Sequence, residues 1–311
     1  MWLDTPCAAS SDDSSGEAAA SFQIPLPVAG SGALAAGLTA ARGPGDDAQG
    51  VVAMASLGSG SKGNGTLIRT REALVLVDCG FTLKETEARL ARLGVHPSQL
   101  DAVLVTHEHG DHLSGVGPLA RRHAVPVHLT TGTWLAGRAK KLGALPSRHL
   151  ITPQQEFAIK DLEILPVTVP HDAREPVQFV FNRRGETATR RLGVLTDLGH
   201  VSEHVLQCFA DCDALVMEFN HDPQMLASGP YPPSLKRRVG GRLGHLANAQ
   251  ACAALPYLGL ARLQRLVASH LSESNNHPSL AREALAPWLA DDDSRLIIAA
   301  QDSGFGWQAI A

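Results

Sequence analysis

The sequence lacks a hydrophobic segment suited to crossing a bilayer or directing secretion. The apolar stretch at residues 33–38 is too short for a transmembrane helix, and its residues are too small. Only Trp2 and Leu3 precede Asp4, and neither a basic region nor an apolar core follows, as a signal peptide would require. We therefore expect a protein that is neither exported nor bound to a membrane.

Cysteine is also scarce. The five cysteines are odd in number and scattered through a large chain, which favours a reducing compartment and hence a cytoplasmic location. Cys208 and Cys212 have a spacing that suits a metal pair, but we interpret them as small buried residues, because oxygen and imidazole ligands are present elsewhere.

No large excess of charge marks the chain, which has 27 basic and 31 acidic residues. The first fifty residues hold one of the basic and six of the acidic residues, which leaves 26 and 25 for the remainder. A nearly neutral body tolerates an anionic substrate better than the whole-chain charge of −4 suggests. This balance shows no preference for such a substrate.

The first fifty residues are rich in Ala, Ser, Gly and Asp and have no sustained apolar period. We expect residues 1–50 to be a disordered or weakly ordered extension, and residues 51–311 to form one folded domain. Within 51–311 there is no internal repeat and no linker long enough to separate domains. Met54 is a candidate for the true start, with a misassigned segment before it; the alternative is a real but dispensable tail.

The most informative stretch is Thr106–His112, which follows the apolar run Ala102–Val105. Residues two apart on an extended segment point the same way, so His107 and His109 can share one metal ion. If a helix starts near Asp111, then Asp111 and His112 leave the loop in another direction and can hold a second ion. Two ions that share one water form a hydrolytic site. The alternative is a charged turn that is rich in histidine by chance.

This string resembles the signature of the metallo-β-lactamase fold, which takes further ligands from later strand ends. Three candidates follow apolar runs: His171 after 162–170, Asp197 after 192–196 and His270 after 263–269. In open α/β sheets, ligand-binding sites form at the edge where the carboxyl ends of the strands lie. Strand and helix patterns alternate in two β-rich halves, so we predict an α/β fold, specifically a four-layer αββα sandwich.

From residue 55 to about 280 the chain is similar to the YycJ/WalJ-type branch of these proteins, which is related to ribonuclease Z and ribonuclease J. Two mild departures are Gly110, where Ser is common, and Ala247, where Ser often follows Gly-His-Leu. The matching strings are Ser56 to Asn64, Thr106 to His112, His171 to Ala173, Thr196 to Gly199, Asn220 to Asp222, Leu235 to Arg238, Gly244 to Leu246, and His270 to Ser272 with Asn275 and Asn276.

The resemblance implies a cytoplasmic metal-dependent phosphodiesterase with 5′-to-3′ exonuclease activity on DNA. It implies that Asp197 bridges two divalent ions, and that Asp78 braces the metal loop through hydrogen bonds without binding metal. All the donors are nitrogen or oxygen, so zinc and manganese both suit. The remaining ligands would be His107, His109 and His171 for one ion, and Asp111, His112 and His270 for the other.

The ligand set implies that a hydroxide shared by both ions attacks phosphorus. Asp111 is our candidate for taking the proton from water. His245 is our candidate for contacting the phosphate or protonating the leaving oxygen.

Two regions are candidates for substrate contacts. The glycine-rich loop 58–65 can cradle a phosphate with backbone N–H groups, although a tight hairpin is the alternative. The basic run at 236–238 can neutralise a nucleic-acid backbone, although a solvated helix face is the alternative. Polar groups near this run favour its contact with a nucleic-acid backbone. The candidate residues are Ser61, Lys62, Asn64, His221, Lys236, Arg237, His245 and Asn248.

Other functions remain open from the sequence. A thioester hydrolase similar to glyoxalase II uses a comparable dimetal site, but it does not explain the basic region at 235–248. A β-lactamase would normally be exported. The body could also be a metal-braced regulatory module without turnover, linked to cell-envelope signalling.

Overall fold

The computed structural model describes residues 52–139, 142–183, 190–289 and 293–310. The predicted N-terminal extension, residues 1–50, lies outside the described residues. The sequence Arg-Arg-Gly-Glu at 183–186 predicts a turn, and most of it lies outside the described residues as well. Both remain predictions. Met54 is the third residue of the first strand.

Two seven-stranded sheets form the centre of the described structure. The order is β14-β1-β2-β3-β4-β5-β6 in the first sheet and β13-β12-β11-β10-β9-β8-β7 in the second. The strands are β1 (Val52–Gly58), β2 (Gly65–Arg69), β3 (Leu74–Val77), β4 (Ala102–Leu104), β5 (Val127–Thr130), β6 (Arg148–Ile151), β7 (Phe157–Ile159), β8 (Leu162–Thr168), β9 (Val177–Arg183), β10 (Arg191–Leu195), β11 (Ala214–Glu218), β12 (Arg265–Ser269), β13 (Leu296–Ile298) and β14 (Phe305–Ile310).

Helices connect and cover the sheets. The first begins with reciprocal capping, since the Thr82 hydroxyl accepts from the Glu85 N–H and the Glu85 carboxylate accepts from the Thr82 N–H. No helix among the described residues is both long enough and apolar enough to cross a bilayer. The α-helices are α1 (Leu83–Arg92), α2 (Gly110–Leu113), α3 (Val116–His123), α4 (Thr131–Ala139), α5 (Glu203–Phe209), α6 (Pro223–Ser228), α7 (Pro233–Val239), α8 (Asn248–Ala254) and α9 (Pro278–Leu289), and the 3₁₀ helices are Pro97–Gln99, Leu255–Leu258, Leu260–Arg262 and Asp293–Arg295.

The alternation of side chains along the buried strands builds three apolar layers. On β3, Val75 and Val77 join a core that contains residues of both sheets, whereas Leu74 and Leu76 join a core with residues of α1 and α3. A third core packs α5, α8 and α9 against the other face of the second sheet. The order of layers is therefore helices, sheet, sheet, helices, and the predicted αββα sandwich is confirmed.

Strand direction determines where the chemistry-bearing loops meet. β3 is parallel to β4, and β10, β11 and β12 are mutually parallel. β8 is antiparallel to β9, which is antiparallel to β10, so β8 runs in the same direction as β10. The carboxyl ends of these strands lie at one edge of each sheet, where sites form in α/β proteins.

Two features differ from the sequence-based expectation. The pattern at 113–123 predicts a single helix, but α2 ends at Leu113 and α3 begins at Val116. Gly115 lies between them, and a Cβ there would be 2.1 Å from the Phe81 carbonyl oxygen. The strand β14 was not predicted. It pairs with β1, more than 240 residues earlier, and carries Gly306 in its interior, so the local pattern is weak.

Candidate metal centre

Seven side chains from four strand ends converge at one edge of the sandwich. The loop after β4 supplies four of them, and the segments after β8, β10 and β12 supply one each. Within each of three groups, one ligand atom per residue lies within 4.8 Å of the others. The groups are His107, His109 and His171; Asp111, His112 and His270; and His107, His112 and Asp197.

Three residues at these strand ends have a left-handed backbone. The φ angle is 60° at Asp78, 51° at Asp197 and 54° at His270. This conformation is uncommon for residues other than glycine and is concentrated at functional sites. It turns the chain sharply where each strand ends.

Asp78 fixes the orientation of the histidine-rich loop. Its carboxylate accepts hydrogen bonds from the Thr106 N–H and hydroxyl, each at 2.8 Å, and from His112 Nδ1 at 2.8 Å. The same Thr106 hydroxyl accepts from His107 Nδ1 at 2.9 Å. Because Nδ1 of both imidazoles is engaged, their Nε2 atoms carry the lone pairs available to a metal. Asp78 thus has the bracing geometry that the resemblance implied.

The remaining imidazoles are oriented by similar contacts. His171 Nδ1 donates to the Gly244 carbonyl at 3.1 Å, and His270 Nδ1 lies 3.3 Å from a carboxylate oxygen of Glu218. His109 differs, because its Nδ1 lies 3.2 Å from His171 Nε2. The nitrogen that faces the cluster is therefore Nδ1 for His109 and Nε2 for the others.

The donor set fits divalent cations. Within the described part of the chain, His107 Nε2 and one carboxylate oxygen of Asp197 are buried without a hydrogen-bond partner. Buried polar atoms are nearly always satisfied, and a cation would satisfy both. Imidazole nitrogen and carboxylate oxygen suit zinc and manganese alike.

Electrostatics favour the metal-binding protonation state of His107 and of Asp197. Burial lowers the pKa of His107 well below its usual value, so this imidazole is neutral and able to bind a cation. Burial raises the pKa of Asp197, but His270 and His112 outweigh this effect and hold its pKa well below the usual range. The ionised carboxylate and the neutral imidazole are the forms that coordinate metals.

Glu218 was not predicted as a site residue from the sequence. It ends β11, at the edge of the sheet where the ligand residues converge. Its buried carboxylate accepts from His245 Nδ1 at 2.7 Å and from the N–H groups of Leu198 and Leu246 at 3.1 Å. His245 Nδ1 is also 3.6 Å from Asp197. Burial raises the pKa of Glu218, but His245 outweighs this and lowers it to about 2. Its place at the end of a parallel strand was the signal that could have revealed it.

The glycine-rich loop adjoins the cluster. The Asn64 amide nitrogen lies 3.1 Å from His112 Nε2 and 3.4 Å from an Asp111 carboxylate oxygen. Lys62 is exposed and forms an ion pair with Glu273 at 2.7 Å. Ser61 is exposed as well.

The structure does not bring every predicted substrate residue to the cluster. His221 and Asn248 are each only 3% exposed, and the Asn248 amide exchanges two hydrogen bonds with Asn276. Lys236 donates to the Ala227 carbonyl at 2.5 Å. These contacts hold the loops around the cluster in place.

The third basic residue of α7 lies nearer to the cluster than the two that we had selected. Arg238 donates to Asp172, whose other carboxylate oxygen is 3.6 Å from His171 Nε2. Arg237, by contrast, is exposed on the same helix.

Gly80 provides a sensitive test of the metal loop. A Cβ at this position would lie 1.8 Å from the Asp111 carbonyl oxygen, a backbone atom that cannot rotate away. We expect Gly80→Ala to lower the free energy of unfolding by about 2–4 kcal/mol and to reduce the bound metal. Gly110→Ala is the control, since a Cβ there meets only the Ser114 hydroxyl, at 3.5 Å. Urea titration and elemental analysis measure both effects, and equal behaviour of the two variants would contradict this account.

Metal binding should stabilise the whole sandwich, because ligands such as His107 follow a strand of the first sheet and others such as His270 follow the second. We expect chelation to lower the melting temperature and added Zn²⁺ or Mn²⁺ to restore it, by about 4 kcal/mol at a thousand times the dissociation constant. His270→Ala should reduce this response. His123→Ala, which removes a contact to Glu87, should keep it. A melting temperature that is indifferent to chelation would refute the assignment of a metal centre.

Comparison with known proteins identifies the class. Residues 74–271 match the family model of the β-lactamase superfamily domain. The chain is 34% identical over 237 residues to exodeoxyribonuclease YycJ of Bacillus anthracis, and 34% identical over 240 residues to exodeoxyribonuclease WalJ of Streptococcus pneumoniae. Each match covers 76% of this chain and 88% of the relative.

A solved structure of Zn²⁺-bound PqqB from Methylobacterium extorquens has the same fold, with a TM-score of 0.62, 17% identity, and coverage of 82% of this chain and 99% of that one. The chain belongs to the β-lactamase superfamily as a metallo-β-lactamase-fold hydrolase of the YycJ/WalJ type. It is a metal-dependent hydrolase, and the fold implies the use of divalent metal.

Proposed function

We propose that this protein is a dinuclear metal-dependent phosphodiesterase that acts as a nuclease, with 5′-to-3′ exonuclease activity on DNA. The observation that carries the proposal is the convergence of seven nitrogen and oxygen donors beside His245 and the buried Glu218 that it contacts. The names of the relatives, which are exodeoxyribonucleases, support the choice of substrate.

Two divalent ions, Zn²⁺ or Mn²⁺, would be held by the groups described above, with Asp197 common to both. Between possible ligand atoms, Asp197 lies within 4.8 Å of His107 from one group and of His112 from the other. When bound, the ions would supply Lewis acidity and lower the pKa of a water molecule between them.

Asp111 is suited to orient the attacking water as a hydrogen-bond acceptor. Burial raises its pKa, but His112 and His270 outweigh this effect and keep it far below the usual range, so the group is a carboxylate at neutral pH. One of its oxygens lies 3.4 Å from His270 Nε2, beside the cluster. A carboxylate here accepts a hydrogen bond from water and thereby directs a lone pair towards phosphorus.

His245 is suited to donate a proton to the leaving oxygen. Burial lowers its pKa, but Glu218 outweighs this and raises it above the usual value. The hydrogen bond from Nδ1 to Glu218 leaves Nε2–H as the donor, and the side chain is 19% exposed. A charged imidazole held in this way is a general acid near neutral pH.

Cationic side chains beside both ligand groups support a polyanionic substrate. Arg238 is linked through Asp172 to the group that contains His171, whereas the Lys62 ion pair with Glu273 lies three residues beyond His270. A nucleic-acid backbone that crosses the cluster would meet both cations.

A substrate panel tests the proposal. The purified chain with Mn²⁺ is assayed on bis-p-nitrophenyl phosphate, on 5′-phosphorylated duplex DNA and on S-lactoylglutathione. We expect turnover of the first two and its loss in Asp111→Ala. Turnover of the thioester alone would favour the glyoxalase-type reaction, and inactivity on all three would favour a regulatory module; either result would overturn the proposal.

A further inference from the structure

The basic helix α7 is attached directly to the segment that carries His245. The His245 N–H donates to the Val239 carbonyl at 2.8 Å, and a Cβ on Gly244 would lie 2.1 Å from the Arg238 carbonyl oxygen. This approach is possible only for glycine at 244. The backbone at Arg238 is therefore fixed relative to the cluster.

The side chain of Arg238 is fixed as well. Its Nε donates to an Asp172 carboxylate oxygen at 2.5 Å, and the other oxygen of Asp172 is 3.7 Å from His109 Nε2 and 3.6 Å from His171 Nε2. The Asp172 N–H donates to the Leu243 carbonyl at 3.0 Å, so Asp172 is anchored too. Asp172 is adjacent in sequence to His171, so the Arg238 guanidinium is held beside the group of ligands that contains His171. The Arg238 side chain is 55% exposed.

The chemistry of this pair suits a phosphodiester. The contact with Asp172 engages Nε, and the two Nη groups form the other donor edge of the guanidinium plane. That planar fork matches two oxygens of one phosphate. Asp172 alone would repel an anion at this position, and Arg238 compensates its charge.

We infer that Arg238 is a phosphate-binding residue, which Asp172 aligns, and that it binds non-bridging oxygens of the phosphodiester beside the His109–His171 group. This assignment rests on the proposed function and adds to it the residue that positions the substrate. The basic run therefore binds substrate mainly through one residue with a defined geometry, and not only through the positive potential of the whole helix.

The experiment measures binding and catalysis separately. Anisotropy of a labelled single-stranded DNA 12-mer gives the dissociation constant of the metal-free protein over a range of salt. We expect Arg238→Gln to weaken binding about tenfold or more and to lower the salt slope by about one. Asp172→Asn, which keeps the cation but loosens its alignment, should give a smaller loss of binding and a raised KM for bis-p-nitrophenyl phosphate.

Arg262→Gln is the matched control. Arg262 also donates through Nε to an aspartate, Asp213. Asp213 precedes β11 and Arg262 precedes the parallel strand β12, so this pair lies at the opposite edge of the sheet. We expect its DNA affinity to equal that of the wild type. Equal weakening by Arg237→Gln and Arg238→Gln, or unchanged binding in Arg238→Gln, would overturn the assignment of Arg238.

The two proposals fail in different ways. If the wild type hydrolyses bis-p-nitrophenyl phosphate and Arg238→Gln leaves both KM and DNA affinity unchanged, only the role of Arg238 is refuted. If the wild type hydrolyses no phosphodiester, the proposed function itself is refuted.

Discussion

Replacing Asp197 by asparagine is expected to lower kcat for phosphodiester hydrolysis by about a thousandfold or more. Asp197 is 1% exposed, and its carboxylate lies within 4.8 Å of His107 from one predicted ion group and of His112 from the other, which is why we propose it as the shared ligand. Asparagine preserves the shape but removes the charge. Steady-state kinetics with added Mn²⁺ and elemental analysis of the purified variant check the result, with metal content falling together with kcat.

The effect of Asp197→Asn on stability must be separated from its effect on kcat. The asparagine variant should melt at the temperature of the metal-free wild type, because the lost stabilisation is that of the ions. A variant that retains both the wild-type metal content and the wild-type kcat would show that Asp197 does not join the two groups.

Glu218→Gln is expected to lower kcat about a hundredfold with little change in KM. Glu218 raises the pKa of His245, so its removal lowers that pKa and decreases the protonated fraction at any given pH. Because the proposed acid acts in its protonated form, the rate should begin to fall at a lower pH than in the wild type. A pH profile of kcat tests the direction of this shift.

Asp213→Asn is the matched control for Glu218→Gln. Asp213 is also a buried carboxylate, 2% exposed, but it lies at the start of β11, whereas Glu218 ends that strand. Its loss should reduce stability without moving the pH profile. An unchanged profile in Glu218→Gln, or the same shift in Asp213→Asn, would count against the role of Glu218.

The fold and the convergence of candidate ligands were predictable because both depend on local patterns. A short apolar strand followed by a polar residue places that residue at the sheet edge, and this rule located His171, Asp197 and His270. Glu218 ends the neighbouring strand β11 in the same way, but it was not predicted as a site residue. Its role depends on three loops that only the folded chain brings together.

Substrate contacts were harder to predict for a physical reason. Surface side chains take their direction from tertiary contacts, such as the one between Lys236 of α7 and the Ala227 carbonyl. Nothing in the basic run itself distinguishes Arg238 from its neighbours. Asp172 distinguishes it, 66 residues earlier in the chain.

The close approach of Gly244 to the last turn of α7 has a consequence for how this enzyme can change. This contact joins α7, which would bind the nucleic-acid backbone, to the segment that carries His245, which would protonate the leaving oxygen. A mutation that shifts the helix to accommodate another substrate would also displace His245. We therefore expect substrate preference to diverge through substitutions on α7 that leave the helix in place. Insertions should be tolerated only before Pro233.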